Sequence, residues 1–349
     1  MDFKLFSKLS ALPGPCGREG AFRAEIIKII KPLADQIKTD AVGNIIALKK
    51  GSAKGKKLML AAHMDEVSLR IKYIDDNGFL RFLKLGNIDP RTLLSQRVLI
   101  HTEKGPVRGV IGAKPAHYST GDHGKAITEE SLYIDIGLVK EEAAKIVSLG
   151  DAATLEREPA ELKGGFFTAK AIDDRAGVYI LIEVMKQLKN KKPAGDIYFV
   201  FTVQEEFGAV GLLGAYAASA AIRPDVALAV DTTGALDVPD IPKQDFVVKS
   251  GGGIAITLVD SMTIAHDGVN KHLKEICQKH NIPWQYRISS RGGNEANAMQ
   301  RSGAGIPVSA LSVPVRYIHS NVEVANKRDI DAAIELVKHF AMEAAKRQY

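Results

Sequence analysis

The sequence predicts an α/β protein. A mixed-sheet domain is built from residues 1–66 and 163–349 and is interrupted by a smaller β-rich, barrel-like domain over residues 67–162. Three observations predict this. The runs LMLAA (58–62), IYFVFTV (197–203) and VALAV (226–230) are continuously apolar or β-branched, the pattern of strands buried on both faces. Helical patterns stand between such runs in both flanking parts. From Val67 to about Leu162, short strand-like runs alternate with turn signals instead. At 349 residues the chain exceeds most single cores, so two domains are expected.

Taken in order, Phe22, Ile26, Ile27, Ile29, Ile30 and Leu33 mark an amphipathic helix within residues 18–37, with Pro32 near its end. DAVGNIIAL (40–48) reads as a turn and a strand. LMLAA follows and delivers His63, Met64 and Asp65. The β-rich segment contains LRIKYI, FLRFLKL, QRVLIHT, PVRGVIG and LYIDIG. One helix is expected at 141–147, and a polar loop at Ser119–Glu130. The α/β texture resumes near Gly164. Asp173 and Asp174 open an apolar helix, IYFVFTV runs into Glu205 and Glu206, and GLLGAYAASAAI is a helix of small residues. VALAV ends at Asp231, and GGGIAITLVD (251–260) is a strand or edge. DGVNKHLKEICQKHNI is a helix, VSALSVPVRYIHS (308–320) carries His319, and RDIDAAIELVKHFAMEAAK closes the chain as a helix.

Composition narrows the class. Apolar residues make up 46% and charged residues 25%, which suits a soluble enzyme. The net charge is +6, but the lysines cluster at 49–57 and 186–192 among Gly, Ser, Ala and Pro without aromatics. Solvated loops explain them better than a nucleic-acid surface, so no nucleic-acid partner is expected. The two cysteines, Cys16 and Cys277, form no ligand motif, and a reducing cytoplasm is the expected location. The amino terminus does not read as a signal peptide. No apolar stretch approaches the ~20 residues that span a bilayer, so no membrane association is expected.

Four apolar runs thus deliver His63, Glu205 with Glu206, Asp231 and His319 at or just past their carboxyl ends, where open α/β sheets bind ligands. Asp173, ahead of a helix, can reach the same edge. Taken alone, Asp173 and Asp231 fit helix caps and Glu205–Glu206 a solvated turn. Together, two imidazoles and four carboxylates suit zinc or cobalt better than Ca²⁺ or Mg²⁺. Two ions ~3.5–4 Å apart need a bridging carboxylate and two terminal ligands each, which leaves one acid over for proton transfer.

These residues lie in motifs that resemble the tetrahedral aminopeptidases, a family of two-metal peptidases also labelled glutamyl aminopeptidase or cellulase M. The resemblance runs nearly end to end through GPCGREG, DAVGN, AAHMDEV, KPAH, LYIDIG, AIDDRAG, TVQEEFGAVG, VDTTGALDVP, RGGNEA and PVRYIHSNVEV. It implies that the α/β part is a metallopeptidase domain with two divalent metal ions, zinc or cobalt. His63 and Asp231 would be terminal ligands of one ion and Glu206 and His319 of the other. Asp173 would bridge them, Glu205 would be the general base acting on a metal-bridging hydroxide, and Asp65 would orient the His63 imidazole. It further implies peptide substrates, a cis bond between Asp173 and Asp174, and a β-rich domain that pairs subunits. Such pairs make a homo-oligomer, up to a twelve-subunit cage. The chain departs from the family at Asn294–Glu295, where Thr-Asp is usual, and at Ser68 and Leu69, which puts specificity in question more than activity. The label cellulase M suggests an endoglucanase as the alternative, but a glycosidase would leave His63 and His319 without a role. A non-catalytic metal-binding protein would leave Glu205 without one.

Overall fold

The chain's first helix carries apolar residues at Phe3, Phe6 and Leu9, of which Phe6 and Leu9 are fully buried. Asp2 starts α1 (Phe3–Ala11) by accepting a hydrogen bond from the Leu5 N–H, so an N-cap defines it. This is a computed structural model, and it describes all residues except 53–54, 116–125, 208–211 and 246. The helix expected within 18–37 is α2 (Gly20–Ile30); it stops just ahead of Pro32, which lacks an N–H, and the chain turns into β1 (Gln36–Thr39). Next come β2 (Ile45–Lys49) and β3 (Leu58–His63).

The β-rich segment closes on itself. Its elements are β4 (Ser68–Ile74), β5 (Leu80–Leu85), α3 (Pro90–Leu93), β6 (Arg97–Thr102), β7 (Gly105–Ala113), β8 (Leu132–Asp135), α4 (Lys140–Ile146) and β9 (Ala152–Leu155). They form a barrel in the order β4-β5-β8-β7-β6-β9. Closure depends on β9, which pairs with both β4 and β6. The sequence reading had no strand there, because AATL is short and weakly apolar. Alternate residues such as Leu69, Ile71, Leu80, Phe82, Val98 and Ile100 fill the interior. The polar loop expected at 119–130 lies largely outside the described residues.

After the barrel, β10 (Ala160–Glu161) pairs with β11 (Phe166–Ala169), which pairs with β17 (Glu323–Asn326) near the chain's end. Between β11 and β17 come α5 (Ile172–Leu188), β12 (Ile197–Thr202), α6 (Leu213–Ile222), β13 (Val226–Gly234), β14 (Ile254–Val259), α7 (Asp267–His280), β15 (Trp284–Ile288), α8 (Ala296–Gln300) and β16 (Val308–Val315); α9 (Lys327–Glu343) follows β17.

The main sheet runs β1-β2-β12-β3-β13-β16-β14-β15 and is mixed, as expected. Its four central strands, β12, β3, β13 and β16, are mutually parallel, while β2 and β14 join them antiparallel. Helices cover both faces, which is why these strands lack polar alternation. On β3, Leu58, Leu60 and Ala62 face the core containing α5 and α9, and Met59 and Ala61 face the one containing α6 and α8. Helix α5 lies close on β13: a Cβ on Gly177 would fall 2.3 Å from both the Val230 carbonyl oxygen and Asp174 Oδ2. Close approach therefore requires glycine there.

Candidate active site

The parallel strands place the candidate residues at one edge, with two refinements. His63 is the last residue of β3, paired with Thr202 of β12. Asp231 was expected to end its strand, yet β13 continues three residues further, and Asp231 pairs with Ser312 inside the ladder. Thr232, Thr233 and Gly234 line the cavity at this edge, so the polar tail of the strand conceals its length from an apolar-run reading. His319 lies beyond β16 in a turn, with φ 62°, and so folds back toward the edge. The Asp173–Asp174 peptide bond is cis, and both residues depart from helical geometry at the start of α5.

The structure gathers the candidates into two triads that share one residue. His63, Asp173 and Asp231 form the first, and Asp173, Glu206 and His319 the second; within each, ligand atoms lie within 4.8 Å of one another. Asp173 turns Oδ1 to His63 Nε2 at 3.1 Å and Oδ2 to His319 Nε2 at 3.3 Å. Asp231 Oδ1 is 3.8 Å from His63 Nε2, and Glu206 Oε2 is 3.5 Å from His319 Nε2. Glu205 stands outside both triads, its Oε2 4.0 Å from His63 Nε2.

Asp65 does two things here. Its backbone carbonyl lies 3.1 Å from His63 Nδ1, closer than its carboxylate at 3.6 Å. The carbonyl accepts from a protonated Nδ1, which leaves Nε2 to face the shared site. The carboxylate accepts the N–H of Glu205 on Oδ1 and of Glu206 on Oδ2, each at 3.0 Å, and so aims the two neighbouring acids.

Two positioning groups escaped the sequence reading. Glu323, fully buried, accepts from the Asp173 N–H at 3.1 Å and the His319 N–H at 2.7 Å, tying both triads together. The only signal was its place in the IHSNVEV motif, four residues after His319. Asn87, from the barrel segment, turns its carbonyl to His319 Nδ1 at 3.2 Å, so the inserted part touches the site. Of the Asn294–Glu295 departure, Asn294 lines the cavity, whereas Glu295 is buried with Oε1 unpartnered.

The electrostatics call for cations. Burial pushes Glu206 up to about 8 and Asp231 up to about 7, and raises Glu205 well above the carboxylate range. Asp173 goes down despite burial, because His319 and His63 hydrogen-bond its charged form. Burial opposes protonation of His319, but Glu206 and Asp173 lift it to about 11. Glu206 Oε1 is buried with no hydrogen-bond partner. Crowded buried carboxylates are stable only if paired, and the donor set of imidazoles and carboxylates fits divalent transition metals. The cavity above these residues measures about 660 Å³ and is lined also by Leu236, Val247, Met262 and Arg291.

Fold and site together define a metal-dependent hydrolase. Residues 43–336 match the family described as M42 glutamyl aminopeptidase. The chain belongs to that family, and is thereby an aminopeptidase whose hydrolysis depends on metal. A putative aminopeptidase of Acetivibrio thermocellus is 42% identical, over 96% of this chain and 97% of the relative. An aminopeptidase structure from Desulfurococcus kamchatkensis has a TM-score of 0.93 at 40% identity, covering 97% of this chain and 94% of that one. The Pyrococcus horikoshii TET1 peptidase, described as assembling into a tetrahedron or a large octahedral shell, has a TM-score of 0.88 at 37% identity, covering 98% and 99%. A Thermotoga maritima structure named an endoglucanase has a TM-score of 0.80 at 32% identity, covering 97% of each chain. No helix among the described residues is long and apolar enough to cross a membrane.

Proposed function

We propose that this chain removes amino-terminal residues from peptides using two divalent ions, zinc or cobalt, at the edge where β3, β12 and β13 converge. The observation that carries this reading is Asp173, whose two oxygens face the two imidazoles separately. His63 and Asp231 would hold one ion, Glu206 and His319 the other, and Asp173 both. When bound, such ions supply Lewis-acid polarisation and bring a water's pKa to near neutrality.

The chain's own residues do the rest. Glu205 lines the cavity, belongs to neither triad and has its backbone fixed by Asp65. We assign it to take a proton from the attacking water and return it to the leaving amine. Asp65, Glu323 and Asn87 keep Glu205, Glu206 and His319 in register with Asp173. The acidic floor favours a substrate with a free, cationic amino terminus. We assign catalysis to residues 1–66 with 163–349 and subunit assembly to residues 67–162, by analogy with the shells of the TET1 neighbour. A cytoplasmic place of action accords with two free cysteines.

The test offers short peptides with free or acetylated amino termini, alongside a soluble β-glucan, with and without chelator. Cleavage of free-ended peptides alone, abolished by chelation and restored by Zn²⁺ or Co²⁺, is expected. Chelator-resistant release of reducing sugar without peptide turnover would establish the endoglucanase instead.

A further inference from the structure

Away from the peptidase edge, α7 and α9 bring a second group of ligands together. His280 is the last residue of α7; His339 and Glu343 stand four apart on α9, one helical turn, and share a face. Their ligand atoms lie within 4.8 Å of one another. The two imidazole rings stack with centroids 3.7 Å apart and planes at 16°. Around a tetrahedral ion with bonds of ~2.0–2.1 Å, neighbouring nitrogens are about 3.3 Å apart, and each ring must hold the ion in its own plane, so chelation requires the two rings to turn out of their stack. His280 Nε2 is shut off from solvent and has no hydrogen-bond partner, which leaves one ring nitrogen of the cluster unused.

The surroundings suit a metal as well. Burial, with His280 second, lowers the pKa of His339, so its ring is neutral and able to coordinate. Glu343 is oriented by His272 Nε2 at 3.3 Å and Lys279 Nζ at 3.3 Å, and His272 is held in turn by the Tyr349 hydroxyl at 2.7 Å. Such outer hydrogen bonds are the usual means of aiming metal ligands. Glu335, whose Oε2 is 3.7 Å from His339 Nε2, stands beside the cluster as a further carboxylate.

We propose that His280, His339 and Glu343 form a separate transition-metal site that ties the end of α7 to α9. Two imidazoles and one carboxylate, with a position left for water, suit Zn²⁺. None of the three belongs to the peptidase site, so this inference stands independently of that reading.

The test counts bound Zn²⁺ per chain by equilibrium dialysis and elemental analysis, at a free concentration that saturates the peptidase site. Wild type, His280→Gln, His280→Gln/His339→Gln and Glu343→Gln are compared. Wild type is expected to bind one equivalent more than either histidine variant, with peptide hydrolysis unchanged. Glu343→Gln should weaken that equivalent at least ten-fold, and added Zn²⁺ should raise the Tm of wild type more than that of His280→Gln. Because the His280 Nε2 makes no hydrogen bond, the single variant keeps the test valid if the double variant fails to fold. Equal Zn²⁺ content and equal Tm response in wild type and His280→Gln would overturn the site and leave the histidines a packed pair.

Discussion

Replacing Asp65 by Asn tests how much of the site depends on a group that touches neither substrate nor Nε2 of either imidazole. Each carboxylate oxygen accepts one backbone N–H, from Glu205 and Glu206, both at 3.0 Å. The amide of Asn has a single acceptor oxygen, so its NH₂ must face one of these donors. One charge-assisted hydrogen bond is lost, about 1.5–3 kcal/mol, and a shielded N–H is left unpaired. Expressed fully in the transition state, that is roughly a ten- to hundred-fold fall in kcat/KM. Asp65→Ala removes both bonds and should fall further. Initial rates on an aminoacyl p-nitroanilide, with metal content measured on the same samples, provide the assay. Which of the two falls, metal content or kcat, shows whether the amide turns toward Glu206 or Glu205. Wild-type kcat/KM in Asp65→Asn at full metal content would refute the idea that this carboxylate aims the two acids.

Three further outcomes are expected. Glu205→Gln should keep its metal content and lose about 10²–10⁴-fold in kcat, since its carboxylate lies outside both triads; loss of one ion would refute the proton-transfer role. In the metal-free chain, Glu206 near 8 and Asp231 near 7 hold protons that the unfolded chain releases near 4.5 and 3.8, and His319 near 11 acts in the same direction. Their stabilisation is full below the unfolded values and is lost as pH rises through about 7 to 8, and later 11 for His319. Calorimetry should therefore show the metal-free Tm falling from pH 6 to pH 9 and the gain on adding Zn²⁺ widening; a metal-free Tm that rises would contradict this. Replacing residues 68–155 by a short linker is feasible because Leu69 pairs with Ala153, and it should give a monomer in light scattering. Activity should fall as well, since the Asn87 carbonyl is removed from His319, and retention of the native number of subunits would exclude an assembly role.

Much of the architecture was legible in the sequence because its central strands are buried on both faces. LMLAA, IYFVFTV and VALAV stand out as apolar runs for that reason, and the polar residues that end them were conspicuous by contrast. His63, Glu205 and Glu206 were found this way. Other elements were not: α1 is a short helix of nine residues with Phe6 and Leu9 buried, β9 is a four-residue strand defined by its place closing a barrel, and β15 has a half-exposed edge pattern.

Residue types and spacing also determined that acids and imidazoles meet at one sheet edge, since parallel strands end together. What they could not determine is which atom faces which. That Asp173 divides its two oxygens between His63 and His319, and that Glu323 accepts the N–H of residues 150 and 4 positions away, depends on loops packed against one another. Asn87 acts through a backbone carbonyl, a group every residue has, so no side-chain pattern could single it out. The sequence determined the donors and the edge; tertiary packing decided their pairing, because hydrogen-bond and ligand geometry is set over a few tenths of an ångström by groups far apart in the chain.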